Sequence, residues 1–203
     1  MDSHASGTLF VVATPIGNLQ DITFRAVEVL KSVAVITCED TRTSKTLLKA
    51  LGVTTPTVSF HQHSSDFDLQ QITDRLSSGQ DVALITDAGT PGISDPGGVL
   101  VAAARGVDAP VVAVPGPSAL TAALSISGVD VSHFLFLGYM PLKGRQKVLG
   151  RVAESDEAVA VFESTHRIKK LVQELHATVG ERPVILVKEL TPAKIDKVVD
   201  AVK

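Results

Sequence analysis

Short apolar runs alternate along the chain with longer stretches in which apolar residues recur every three or four positions. The runs at residues 9–13, 33–37, 82–86 and 111–114 are of strand length and apolar on both faces, and 57–61 is a further strand-length run with Val58 and Phe60 on one face. That pattern predicts parallel strands buried between two helix layers. The periodic stretches predict helices over 22–32, 43–51, 69–76 and 98–105. In the first, Ile22, Ala26, Val29 and Leu30 share a face, and Asp21 or Thr23 is placed to cap it. Gly52 ends the second, and Leu69, Ile72 and Leu76 line one side of the third.

An Ala- and Leu-rich stretch over 118–127 predicts a buried helix, with Ser118 as N-cap and Gly128 as its end. A second unit then opens. It carries predicted strands at 134–137, 158–162 and 183–187, helices at 147–153 and 168–175, and a basic turn at 141–144. Residues 192–203 predict a last short helix with Ile195, Val198, Val199 and Val202 on its apolar face. The expected architecture is α/β, with a mostly parallel N-terminal sheet over 8–117 and a smaller C-terminal α/β domain over 118–203.

Composition narrows this picture. Of 203 residues, 44% are apolar, Trp is absent and Tyr occurs once, so the cores must be aliphatic. The single cysteine, Cys38, rules out an intrachain disulfide and reads as a buried thiol near a strand end. No apolar run approaches the ~20 residues needed to span a bilayer. Residues 1–7 are polar without Lys or Arg, unlike a signal peptide. These features set the expectation of a soluble cytoplasmic protein with no membrane partner. The net charge is −3, yet the chain from Val111 onward carries 12 Lys/Arg against 10 Asp/Glu, and the part before it 7 against 12. The second half is the better candidate to face a polyanion.

The candidate chemistry lies in loops that follow strands. Residues 87–97 read D-A-G-T-P-G-I-S-D-P-G, with three glycines, two prolines and two aspartates. Such a segment can be neither helix nor strand. The loops 14–18 (T-P-I-G-N) and 115–118 (P-G-P-S) are of the same kind, and the three together suggest the rim of one pocket. No G-x-G-x-x-G and no G-x-x-x-x-G-K-[ST] is present. Neutral turns with carboxylates suit a cationic or neutral adenosine-type ligand better than a triphosphate.

Glu39, Asp40 and Arg42 lie just past the second strand and read equally as a local ion pair or as groups that orient a substrate. His61 and His63 would share a strand face, but no third ligand completes a metal site nearby in sequence, and none is expected. His166 and Arg167 follow another strand, and His133 reads as surface. Lys143, Arg145 and Lys147 surround Gly144 as a basic cluster, either solvated or contacting phosphate. No G-x-S-x-G elbow supports a serine hydrolase, and Ser118 suits a helix cap better than a nucleophile.

Taken together, T-P-I-G-N at 14–18, E-D-T-R at 39–42, the 87–97 loop, P-G-P-S-A at 115–119, F-L-F-L-G at 134–138 and F-E-S-T-H-R at 162–167 resemble the ribosomal RNA small subunit methyltransferase I family. That family belongs to the tetrapyrrole-methylase-like (class III) methyltransferases. The resemblance implies a two-domain α/β enzyme, usually a homodimer, with S-adenosylmethionine held in the cleft between domains. The implied reaction is methylation of the ribose 2′-oxygen of a cytidine in the decoding region of 16S rRNA, within the 30S subunit. It implies that Pro15, Asp87, Ala88, Gly89, Thr90, Ser118 and Ala119 line the cofactor site. Glu39, Asp40 and His61 are then the candidate bases. Arg42, Lys143, Arg145 and Arg167 are the candidate RNA contacts.

The chain departs from the family pattern in two places. Family members usually continue well past E-L-T, whereas twelve residues follow Thr191 here, so the second sheet is expected to be shortened. Thr43-Ser44 stand where His-Thr is common. Two other readings remain at this level. One is an enzyme of the same fold acting on a tetrapyrrole or corrin precursor, against which the basic second half and the K-G-R and H-R segments weigh. The other is an inactive module that binds the cofactor or RNA.

Overall fold

A strand that is apolar on both faces needs a helix layer on each side, and the first unit is built in that way. The computed structural model describes residues 6–61 and 64–191. Strands β1 (Leu9–Val12), β2 (Val35–Cys38), β3 (Thr57–Ser59), β4 (Val82–Leu84) and β5 (Val111–Val114) form a parallel sheet in the order β3-β2-β4-β1-β5. Helices α1 (Phe24–Ser32) and α2 (Thr41–Ala50) cover one face, where Ala26, Leu30 and Leu48 pack on Val12, Ile36 and Cys38. Helices α3 (Asp66–Ser77) and α4 (Gly97–Gly106) cover the other, bringing Ile72, Leu76, Leu100 and Ala104 onto Leu9, Val35, Val82 and Leu84. Cys38 is buried in the first of these cores, and burial pushes its thiol pKa up.

The topology locates a crevice. β1 and β4 are neighbours, yet the chain leaves β1 for α1 on one face and β4 for α4 on the other. At such a divergence the loops part beyond the strand ends and leave room for a ligand.

Local chemistry sets the element boundaries. Thr23, not Asp21, caps α1, its Oγ1 accepting from the Ala26 N–H at 3.1 Å. α3 begins three residues ahead of the apolar periodicity, because Ser65 and Asp68 form a reciprocal capping box. β3 stops short of the predicted 57–61. Phe60 N–H makes the last bond to β2, at Cys38 O, and the His61 N–H turns instead to Ser64 Oγ at 2.9 Å.

By their contacts the described residues fall into two units, one running to Ala119 and taking in Thr191, the other Leu120–Leu190. In the second unit β6 (Phe134–Tyr139) and β7 (Ala158–Phe162) pair in parallel, joined by α6 (Arg145–Glu154) and followed by α7 (Ile168–Val179). Met140, Leu149, Val152, Leu171 and Leu175 make its core.

Two expectations fail here. Residues 183–187 form no strand. Pro183 offers no N–H, and the segment is anchored from the side by Arg182, which donates to the carbonyls of Val152 and Ser155. Helix α5 (Ala119–Ile126) forms, but none of its residues is fully buried. Its apolar residues encircle two turns instead of gathering on one face. The short helix predicted over 192–203 and His63 lie outside the described residues.

The two-layer arrangement predicts a contrast between two large apolar side chains of α1. Leu30 is fully buried, whereas Phe24 is 92% exposed. In urea unfolding, Leu30→Ala should cost about 2–5 kcal/mol, and Phe24→Ala should stay within about 0.5 kcal/mol.

Candidate functional site

The three loops singled out in the sequence are bonded to one another. Thr14 N–H donates to Gly89 O at 2.9 Å, and Gly89 N–H returns the bond to Thr14 O at 3.1 Å. The Thr14 hydroxyl, itself buried, donates to Thr86 O at 3.0 Å. Thr90 Oγ1 reaches the third loop, donating to Pro117 O at 3.1 Å. Two glycines permit this closeness. Gly89 has φ 84°, and a Cβ there would also meet Ile16 Cγ2 at 3.4 Å. A Cβ on Gly116 would stand 3.0 Å from the Cβ of Ala13.

The two aspartates of the 87–97 loop do different work. Asp95 folds the loop on itself, accepting from Gly92 N–H at 2.8 Å and Gly97 N–H at 2.7 Å. Asp87 is exposed at the strand end and has no hydrogen-bond partner among the described residues. Ala88 beside it is exposed, Gly89 buried and Thr90 half-buried. Pro15 is buried beneath the rim, so it contributes shape and offers no polar contact. Ser118 and Ala119 are half-buried where the third loop enters α5. None of the three loops carries a Lys or Arg. Their donors and acceptors fit a ligand with hydroxyls and an amine, and they lack the cations a triphosphate requires.

Beside this rim lies a pocket of about 490 Å³, bounded by Glu39, Phe60, His61, Ser64, Leu69, Asp95 and Val99. It sits where β2 and β3 end and α3 and α4 begin. The structure separates the candidate bases that the sequence left unranked. Glu39 faces the pocket, and its pKa is raised, first by desolvation of the carboxylate and then by the charges of Asp87 and Asp95. Asp40 is turned to another task. It is the N-cap of α2, accepting from Arg42 N–H at 2.8 Å, and it pairs with the Arg42 side chain at 3.2 Å. The Arg42 guanidinium and these bonds hold its pKa below the usual carboxylate range. Of the two readings of E-D-T-R, the local ion pair is therefore the one observed for Asp40 and Arg42. His61 lies on the pocket wall, close enough for its charge to act on Glu39.

The basic cluster of the second unit is split between surface and interior, against the expectation of a uniform solvated or phosphate-contacting group. Lys143 is exposed, but Arg145 is 8% exposed and committed to Glu163 and Glu174. It is neither a solvated surface charge nor a phosphate contact. Arg167 is half-buried and its head group holds Glu163 at 2.7 Å and Met140 O at 3.0 Å. Glu163 had a legible signal, since a carboxylate straight after the apolar run 158–162 demands cations. Glu174 had none, being 29 positions from its arginine. Ser64 on the pocket wall was likewise missed, because it comes to line the same pocket as Glu39 only through the sheet order.

Comparison with known proteins assigns the family. Residues 8–201 match the model described as Tetrapyrrole (Corrin/Porphyrin) Methylases. The chain is 43% identical over 188 residues to a protein of Synechocystis named ribosomal RNA small subunit methyltransferase I, covering 91% of this chain and 67% of that one. The chain belongs to that methyltransferase family. A relative of the same name from Leptospira biflexa is 42% identical, with 92% of this chain and 79% of the other covered. One from Streptococcus pyogenes is 46% identical, with 94% and 67% covered. Among solved structures, the uroporphyrin-III C-methyltransferase of Thermus thermophilus superposes with a TM-score of 0.59 at 20% identity, over 84% of this chain and 74% of that one. That likeness shows the fold. The family is S-adenosylmethionine-dependent, in keeping with the absence of both phosphate-cradle motifs. No helix among the described residues is long and apolar enough to cross a membrane.

The division between the two aspartates can be checked by stability. Asp95→Ala leaves two backbone N–H groups without their acceptor and should cost about 1–3 kcal/mol in urea unfolding. Asp87→Ala removes an exposed side chain without a partner and should stay within about 0.5 kcal/mol.

Proposed function

We propose that the protein transfers a methyl group from S-adenosylmethionine to the ribose 2′-hydroxyl of a cytidine in 16S rRNA of the small ribosomal subunit, acting in the cytoplasm as a homodimer. The observation that carries this reading is the juxtaposition within one unit of a cation-free loop rim and a pocket containing a carboxylate of raised pKa. The family relatives supply the substrate class, since their names specify ribosomal RNA.

In this reading Asp87 accepts hydrogen bonds from the cofactor, Ala88 and Thr90 border it, and Gly89, its own backbone bonded to Thr14, lets the cofactor approach the rim closely. Ser118 and Ala119 close the third side and Pro15 shapes the floor. Bound S-adenosylmethionine supplies an already activated methyl group on a sulfonium, so neither a covalent enzyme intermediate nor a metal is needed. The protein's work is to orient the ribose and take its proton.

Glu39 is the group placed to take that proton. It faces the pocket, and its raised pKa makes it a better base than an ordinary carboxylate. Asp40 is a poorer base, because its lone pairs are engaged and its pKa is lowered. His61 serves to hold the ribose or the Glu39 carboxylate in place. Arg42 is 91% exposed along its side chain and can reach a phosphate by releasing Asp40.

Two measurements test this reading. Calorimetry should show S-adenosylmethionine binding tightly relative to ATP or NAD, with Asp87→Ala weakening it and Asp74→Ala leaving it unchanged. A preference for ATP would contradict the cofactor site. The second is the pH dependence of kcat/KM on 30S subunits. Glu39 works ionised, so a raised pKa means activity falls off, as pH is lowered, at a pH above the ordinary carboxylate range. Glu39→Gln should remove that limb and lower kcat by about 10²–10⁴-fold, with cofactor affinity retained. An unchanged rate in Glu39→Gln would assign the proton to another group. Methylation of a corrin precursor in preference to 30S subunits would replace the substrate.

A further inference from the structure

The second unit contains a group of four charged side chains that the methyl-transfer chemistry does not use. Glu163, whose side chain is 1% exposed, lies at the centre. It accepts from Arg145 Nη1 at 3.2 Å, Arg167 Nη2 at 2.7 Å and its neighbour's N–H, Ser164 N, at 2.8 Å. Glu174 accepts from Arg145 Nε at 2.9 Å, and its pKa is lowered chiefly by that guanidinium. Within it two positive and two negative groups cancel, and the more exposed Lys170 makes a longer contact with Glu174 at 3.9 Å. A buried set of this kind adds little net stability over apolar packing, but it fixes geometry, since removing one member strands another.

What it fixes is a turn. The remaining donors of both arginines reach consecutive main-chain carbonyls, Arg167 Nη1 to Met140 O at 3.0 Å and Arg145 Nη1 to Pro141 O at 3.2 Å. Met140 N–H is bonded to Phe162 O at 3.0 Å, and Gly144, at φ 73°, closes the turn into α6. Between these fixed points stand Leu142, 81% exposed, and Lys143, also exposed. Lys147 follows on the first turn of α6, exposed as well. Neither lysine makes an ion pair among the described residues. With the buried group neutral, the local field belongs to the lysines. An exposed leucine beside unpaired cations, on a turn braced from beneath, is suited to a polyanion that also offers apolar sugar and base surface.

We propose that the turn 140–144 is a preformed docking element for ribosomal RNA. Lys143 and Lys147 meet backbone phosphates, and Leu142 lies against the adjoining sugar and base. Arg145 and Arg167 are positioning residues that hold the turn and do not themselves touch RNA. This rests on the reading of an RNA substrate given above.

The test uses the 203-residue chain and purified 30S subunits, with binding followed across a salt titration. Wild-type protein that fails to bind 30S subunits contradicts the proposed function itself. Given wild-type binding, Lys143→Ala with Lys147→Ala should weaken it about 10-fold or more at low salt. The double variant should also reduce the slope of log K against log salt by about 1.4–1.8, the value for two phosphates. Lys169→Ala on α7, and the affinity for S-adenosylmethionine in every variant, should be unchanged. Leu142→Ala should weaken binding without altering the slope. Unchanged 30S affinity in the double variant overturns the proposal. So does a loss of affinity with the salt slope intact, which would point to a protein contact instead of phosphate.

The bracing role is read from Arg145→Lys, which keeps the charge and loses the fork. It should raise KM for 30S subunits while kcat and cofactor affinity hold. A lowered Tm with KM unchanged would make Arg145 a structural residue only.

Discussion

The pair of backbone hydrogen bonds exchanged between Thr14 and Gly89 is the constraint on which the first unit's site depends. β1 and β4 are adjacent, and the chain leaves them toward opposite faces of the sheet. Left alone, their loops would separate. The exchange closes them over the strand ends, and the Thr14 hydroxyl ties the same point to Thr86. Thr90 then carries the constraint to the third loop at Pro117. Glycine suits position 89 because its φ of 84° is a conformation that residues with a side chain rarely adopt. The rim is thus set by main-chain geometry, which leaves Asp87 unengaged and available to a ligand.

Neighbouring carboxylates acquire opposite characters from their surroundings. Glu39 and Asp40 are consecutive in sequence at the end of β2. One lines a pocket shared with Asp95, and desolvation together with the charges of Asp87 and Asp95 raises its pKa. The other caps α2 and is paired with Arg42, which lowers it. A division of this kind, with two titratable groups pushed apart by environment, is how one site separates a base from a structural anion. The second unit shows the complementary use of charge, with Arg145, Arg167, Glu163 and Glu174 neutralising one another to hold a turn.

Much of the frame was legible in the chain. The five strands of the first sheet and the four helices between them follow from apolar runs and periodicity, because burial on both faces leaves a strong pattern. The nearness of the three loops was also legible, since parallel strands deliver their loops to one edge. What pattern reasoning could not supply was side-chain commitment. That Asp40 is a cap, that Asp95 folds its own loop and that Arg145 is buried all depend on partners chosen by three-dimensional packing. The basic segment 143–147 looked uniform in sequence, yet Glu174 on α7 draws one of its three cations inward.

Nucleoside analysis identifies the atom that receives the methyl group. 30S subunits would be incubated with the protein and methyl-labelled S-adenosylmethionine, and the 16S rRNA digested to nucleosides. Label is expected in 2′-O-methylcytidine, present with wild-type protein and reduced to near background with Glu39→Gln. Label on a base, or equal label with Glu39→Gln, would contradict that expectation.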